Sequence, residues 1–133
     1  MDTIEEKLEQ AKKGENLDVL INDEDEIVRA AVAARGYGLD ILLKDESWWV
    51  RVAVARQGYG LEILKKDESR WVRRAVACQG YGLEILKKDE ESFLRAEGAR
   101  QGYGLNELLK DENEDVREET QKYLDELKKR LTK

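Results

Sequence analysis

Residues Leu61–Gly82 read LEILKKDESRWVRRAVACQGYG. The same string returns with small edits from Leu17, Leu39 and Leu83, and its first half begins again at Leu105, so that the starts fall every 22 residues. A chain built almost wholly from one repeated unit reads as an array, in which each unit buries its apolar face against the next.

Each unit divides into two helical pieces. The opening piece spans Leu17–Asn22, Leu39–Lys44, Leu61–Lys66, Leu83–Lys88 and Leu105–Lys110, with leucine at its first and fourth positions. Six residues hold no helix alone, so this piece must lean on its neighbours, with 3₁₀ character expected. An aspartate follows at a fixed place: Asp23, Asp45, Asp67, Asp89 and Asp111. Its carboxylate, just ahead of an apolar-periodic run, predicts an N-cap for the second helix. That helix runs from about Ser47 to Gln57 in one unit, with Val50, Ala53 and Val54 on a core-facing stripe, repeated as Val72, Ala75 and Val76. Ala55, Ala77 and Ala99 let neighbouring helices approach closely. Gly-Tyr-Gly at 36–38, 58–60, 80–82 and 102–104 ends the unit, its first glycine suited to a left-handed helix stop. The regular tyrosines Tyr37, Tyr59, Tyr81 and Tyr103 predict a stacked ladder over the inter-helix corner, hydroxyls at the surface.

The two ends depart from the repeat. Ile4, Leu8 and Ala11 make an amphipathic helix over Asp2–Lys13, with Asp2 or Thr3 as cap, Glu5 or Glu6 completing a capping box and Gly14 as stop. Beyond Val116 and Arg117 the chain continues as EETQKYLDELKKRLTK, a longer amphipathic helix, acidic early and basic late. The expected fold is therefore all-α: a right-handed α-solenoid of about five 22-residue, two-helix repeats with a capping helix at each end. It forms one domain over residues 1–133, with an N-terminal cap over 1–16, repeats over 17–112 and a C-terminal capping helix over 113–133.

The unit resembles the leucine-rich repeat variant, a HEAT-like bacterial repeat of a short helix plus an α-helix. The resemblance lies in L-x-x-L-x-x-D followed by V-R-x-A-V-A, as in Leu61, Leu64, Asp67, Val72, Arg73, Ala75, Val76 and Ala77, and it covers Leu17 to roughly Arg117. It implies a ladder of Asp and Arg six positions apart that bridges adjacent units: Asp23/Arg29, Asp45/Arg51, Asp67/Arg73, Asp89/Arg95 and Asp111/Arg117. The family usually has a proline-containing turn where this chain has Gly-Tyr-Gly. Its founding type carries a cysteine cluster for an iron–sulfur centre; this chain has one cysteine, Cys78, so the cofactor is not carried over. Near-identical units between two tailored caps suggest a consensus-built, redesigned or recently duplicated protein.

Composition narrows function. With no histidine and one cysteine among 133 residues, a Cys/His zinc site, His-based acid/base catalysis and an intrachain disulfide are excluded. No enzyme activity, cofactor or metal is expected. The balance of 24 basic and 30 acidic side chains, net −6, opposes nucleic-acid binding, which needs a basic footprint. No run reaches membrane-spanning length, and a disulfide-free chain suits a reducing cytoplasm. The Asp-Glu turns lack the ligand spacing of a calcium loop.

In an array, shared positions build the stack and varied positions choose the partner. Variation concentrates on the second helix, where Ile27, Trp49, Trp71, Phe93 and Asp115 share one register position and Glu26, Trp48, Arg70, Ser92 and Glu114 share the position before it. Ala30, Val52, Arg74, Ala96 and Glu118 share a third, and Ala34, Arg56, Cys78, Arg100 and Lys122 a fourth. Trp48, Trp49, Val52, Arg56, Arg70, Trp71, Arg74, Phe93 and Arg100 form the candidate binding patch, of the residue types that dominate protein interfaces. The regular apolar character at Ile27, Trp49, Trp71 and Phe93 predicts packing rather than exposure, whereas Trp48 stands among polar register mates and is expected at the surface. In the fourth unit Glu97-Gly98-Ala99 replaces Ala-Val-Ala, which predicts local repacking around a missing side chain. The expected function is a non-catalytic repeat scaffold that binds a protein or peptide along the second-helix face; the alternative is a structural or self-associating designed scaffold, such as a homodimer, with no natural ligand.

Overall fold

Leucine at the first and fourth positions of each unit, and the valine–alanine run behind it, produce helices and nothing else. The computed structural model describes residues 2–132, among which there are eleven helices and no strand. They alternate in length. Helices α2 (Leu17–Leu20), α4 (Leu39–Leu42), α6 (Leu61–Leu64), α8 (Leu83–Leu86) and α10 (Leu105–Leu108) have four residues each. Between them lie α3 (Glu26–Ala34), α5 (Trp48–Arg56), α7 (Arg70–Cys78) and α9 (Ser92–Arg100), of nine residues each. The ends are α1 (Ile4–Lys13) and the 18-residue α11 (Glu114–Leu131). No helix among the described residues is long and apolar enough to cross a membrane.

The short helices, at four residues, fall short of the six residues expected. Their α-helical bonding stops after the fourth residue and closes through i→i+3 bonds, as from Lys44 N–H to Ile41 O and from Asp45 N–H to Leu42 O. The aspartates after them are not N-caps. Asp45 accepts from Ser47 N–H, two residues ahead at 2.9 Å, and from Arg29, rather than from the first turn of the coming helix. The caps fall two residues later, on Asp25, Ser47, Ser69, Glu91 and Asn113. Ser47 Oγ accepts from Trp49 N–H at 3.2 Å and Ser69 Oγ from Trp71 N–H at 3.3 Å. At the N-terminus, Thr3 and Glu6 form the capping box and Gly14 the left-handed stop.

Both glycines of Gly-Tyr-Gly are left-handed, with φ of 77° at Gly58 and 66° at Gly60. The first ends a long helix and the second starts a short one; Asn16, with φ of 55°, takes the second role in the first unit. The tyrosines between them lie open, Tyr37, Tyr59 and Tyr81 all being exposed.

Contacts divide the chain into two compact units, Met1–Gln79 and Gly80–Lys133. In the first, α1 packs on α3, α3 on α5 and α5 on α7, and each four-residue helix packs on the long helix that follows it. Val28, Val32, Val50, Val54, Val72 and Val76, with Leu42 and Leu64, are buried in its core. In the second unit, α9 packs on α11 with α8 and α10 against it, around Leu94, Ala96, Ala99, Leu108 and Val116. Gly98 and Thr120 are buried where other units place valine, and Thr120 satisfies its hydroxyl on Val116 O at 2.7 Å.

Candidate functional site: an aromatic groove

A nine-residue helix has two and a half turns, enough for two adjacent stripes. On α5 the inward stripe is Val50, Val54 and Ala55, all buried. The stripe beside it, Trp49, Val52, Ala53 and Arg56, has the i, i+3, i+4, i+7 spacing of one helix face. The corresponding stripes are Ile27, Ala30, Ala31 and Ala34 on α3 and Trp71, Arg74, Ala75 and Cys78 on α7. All twelve residues, with Leu8 from α1, Trp48 and Gln79, line one open groove of about 630 Å³ within the first unit.

Side-chain size explains the concavity. The floor is alanine, at positions 30, 31, 34, 53 and 75, and the walls are indole. Trp48 packs edge-on to Trp49 with ring centroids 5.4 Å apart and lies 6.5 Å from Trp71, so the three form one cluster. The Arg70 guanidinium sits 5.6 Å above the Trp71 ring.

The exposures overturn the expectation of packing at Trp49 and Trp71. Trp48, Trp49 and Trp71 are 41%, 48% and 45% exposed, and Ile27 is 47% exposed. The reason is angular: position 49 lies about 100° around the helix from Val50, at the edge of the buried stripe. The small alanines opposite leave the indoles nothing to pack into. Phe93, at the same register on α9, is partly buried in the second unit. Arg100, also in the second unit, pairs with Glu97 at 3.4 Å and Glu119 at 3.8 Å. Val52 is partly buried, while Arg56, Arg70 and Arg74 are exposed. Register alone gave no sign that Leu8 of the N-terminal helix completes the groove.

Charge is arranged with equal regularity. Arg29 grips Asp45 through two bonds of 2.9 and 3.1 Å, and Arg51 grips Asp67 through bonds of 2.8 and 3.1 Å. In the second unit, Arg95 holds Asp111 the same way. Each guanidinium therefore pairs with the carboxylate 16 residues ahead, not with the aspartate six residues behind. That nearer aspartate is met through its backbone carbonyl, as from Arg51 Nη1 to Asp45 O at 2.8 Å, from Arg73 to Asp67 O at 2.9 Å and from Arg117 to Asp111 O at 2.6 Å. Asp89 gives its carbonyl to Arg95 and its carboxylate to Glu91 N–H. Lys7 supplies the cation for Asp23 at 2.7 Å.

These contacts shift titrations. Hydrogen bonding from Lys7 holds the Asp23 carboxyl below its ordinary range, and Arg95 does the same for Asp111. The same bonds raise Lys7 and Arg95, and the bond to Asp45 raises Arg29. By contrast, neither Arg56 nor Arg74 makes an ion pair among the described residues. Ile27 is shared with a shallow depression lined by Glu24, Asp25, Glu26 and Glu46 together with Arg29 and Ser47. Glu26 accepts there from Ser47 Oγ at 2.7 Å. No family model, no curated protein and no solved structure matches the chain, so the groove is interpreted from its own chemistry.

Proposed function

We propose that the chain is a non-catalytic helical repeat scaffold that binds a protein or peptide segment along the face of its second helices. In this reading the alternating short and long helices form an α-solenoid similar to leucine-rich repeat variant and HEAT-like proteins. The shared Asp–Arg forks hold the stack and the variable stripe meets the partner. One observation carries the reading: three tryptophans, the only ones in the chain, stand about half exposed around one alanine-floored groove. Exposed indoles in contact with one another leave apolar area in water that a partner can cover. Tryptophan with flanking arginine is the chemistry of interface hot spots. The groove volume is that of a site for a few anchoring side chains.

The test is selection of displayed random peptides on the immobilised chain, followed by titration of the enriched sequences against tryptophan emission. Enriched peptides should bind the parent chain, and Trp48→Ala with Arg74→Ala should weaken them by ~10-fold or more. Helical content and melting should stay unchanged. Peptides that bind the doubly substituted chain equally well would place the interface elsewhere. A concentration-dependent dimer that Trp48→Ala dissolves would assign the groove to a second copy.

A further inference from the structure

Resting on that reading of the groove, we infer that its partner segment is acidic as well as apolar: an aromatic or aliphatic anchor seated among Trp48, Trp49 and Trp71, with carboxylates held by Arg56 and Arg74.

The argument begins with which arginines are engaged. Arg29 and Arg51 are tied into two-bond forks with Asp45 and Asp67 and are nearly buried. Arg56 and Arg74 line the groove with no carboxylate of their own, in a chain of net charge −6 that has acidic side chains to spare. An acidic chain that leaves these two cations unpaired inside an apolar hollow has a standing charge imbalance there. Guanidinium matches carboxylate through two parallel N–H···O bonds, a geometry lysine cannot reproduce. Because both arginines are exposed, such pairs are screened by salt, which the test below uses.

The competing occupants fit less well. A cationic ligand would gain from the indole faces, but Arg56 and Arg74 repel it in the same hollow. The indoles also touch one another, leaving no cage between them. A second copy docked groove to groove would bring four guanidinium groups, Arg56 and Arg74 from each chain, into one interface, and the sizing arm of the test below separates it from a peptide. A single-stranded nucleic acid would find stacking platforms and two cations, but a strand running on past Ile27 would meet the carboxylates of Glu24, Asp25, Glu26 and Glu46, with Arg29 there already tied to Asp45. A short acidic peptide avoids that depression.

Three synthetic peptides test the inference. They share leucine and phenylalanine anchors and differ only in flanking glutamate, glutamine or lysine. Binding is read from tryptophan emission, all of which originates in the groove, and from slowed alkylation of Cys78, the sole cysteine, which lines it. The glutamate peptide should bind ~10-fold tighter than the glutamine peptide at low salt, with the gap closing as salt rises. Arg56→Glu with Arg74→Glu should reverse the order in favour of the lysine peptide. The milder Arg56→Gln with Arg74→Gln should equalise the glutamate and glutamine peptides. Both substituted positions are exposed, and circular dichroism verifies the fold. Equal binding of the glutamate and glutamine peptides by the parent chain would overturn the acidic partner while leaving a peptide groove intact. Tighter binding of an oligothymidylate than of any peptide would overturn it in favour of nucleic acid. A concentration-dependent dimer that shields Cys78 would overturn it in favour of a second copy. Binding of none of these probes would overturn the groove reading itself.

Discussion

Gly98→Ala should stabilise the second unit. Gly98 is buried in the middle of α9, with none of the positive φ that excludes other residues. A Cβ built there meets Leu86 Cδ2 and Tyr103 O at 3.8 Å and Leu108 Cδ1 at 3.9 Å, ordinary contact distances on three sides. Alanine removes the conformational freedom of glycine in the unfolded chain, worth about 1 kcal/mol in a helix interior. One methyl newly buried against two leucines adds about 0.5 kcal/mol. The sum, about 1.5 kcal/mol, corresponds to a melting point roughly 5 °C higher for a chain of this size. Urea unfolding followed by far-ultraviolet circular dichroism gives the midpoint. Tryptophan emission adds a second reading, because Trp48, Trp49 and Trp71 all lie in the other unit. If the units unfold together, both signals move; if they unfold separately, only the dichroism moves. A dichroism midpoint that is unchanged or lower would refute the account, since it would mean that the space beside Gly98 is not available. Valine, the residue at Val32, Val54 and Val76, should gain less than alanine. Its extra methyls would start from atoms already in contact.

Three further outcomes follow from the geometry. Gly58→Ala and Gly60→Ala both force alanine into a left-handed conformation, about 1 kcal/mol each, but only at Gly60 does the new Cβ crowd Leu43 Cδ1, at 2.5 Å. Gly60→Ala should therefore be the more damaging by urea midpoint, and equal losses would show that Leu43 yields freely. Asp67→Asn leaves the nearly buried Arg51 guanidinium facing a neutral amide and should cost about 2–3 kcal/mol, measured by chemical denaturation; a loss under about 0.5 kcal/mol would demote the fork to a surface pair. Asp23 and Asp111 titrate below the ordinary 3.8 when folded, so their stabilisation is complete above that value and is lost as pH falls through the lower folded values. Melting points should therefore hold steady down to about pH 4 and then drop, with a shallower drop in Asp23→Asn.

Repetition made the helices legible. Leucines at 61 and 64, the valine–alanine run and the two glycines recur so regularly that each helix could be placed within a residue or two. Local polar chemistry was harder to read. Asp45 directly before an apolar run looks like a cap, but Arg29 arrives from 16 residues earlier and claims the carboxylate. That contact depends on how neighbouring helices pack and has no local signature. The tryptophans misled for a different reason. A shared apolar register usually marks the core, yet here the register at Trp49 and Trp71 lies one position off the buried valines. The informative comparison was across the helix instead of along the chain. Alanine at 30, 31, 34, 53 and 75 faces bulky residues at 27, 49 and 71, and only small residues opposite large ones make a hollow.

The same stripe accounts for where binding chemistry should and should not be found. On α3 it is Ile27, Ala30, Ala31 and Ala34, which is wholly apolar; on α5 and α7 it carries a tryptophan and an unpaired arginine each. On α9 it becomes Phe93, Ala96, Glu97 and Arg100, and the arginine is answered by Glu97 on its own helix and by Glu119 on α11. From α3 to α7 the buried valines are unchanged, Val28, Val50 and Val72 at one position and Val32, Val54 and Val76 at the other, while the stripe beside them varies, so the two vary almost independently there. Substitutions confined to positions 49, 52, 56, 71, 74 and 78 should then alter what the groove accepts while leaving the urea midpoint within about 0.5 kcal/mol. Moving the α9 combination onto α7, by Trp71→Phe, Arg74→Ala, Ala75→Glu and Cys78→Arg, is the strict version of this test. Position 75 belongs to both the groove and the buried core, so a glutamate there is the one change of the four that should cost stability. A chain that keeps its stability through the other three changes and still loses its peptide would separate recognition from folding. If those three alone lowered the midpoint by several kcal/mol, the indole cluster would belong to the structure rather than to a partner.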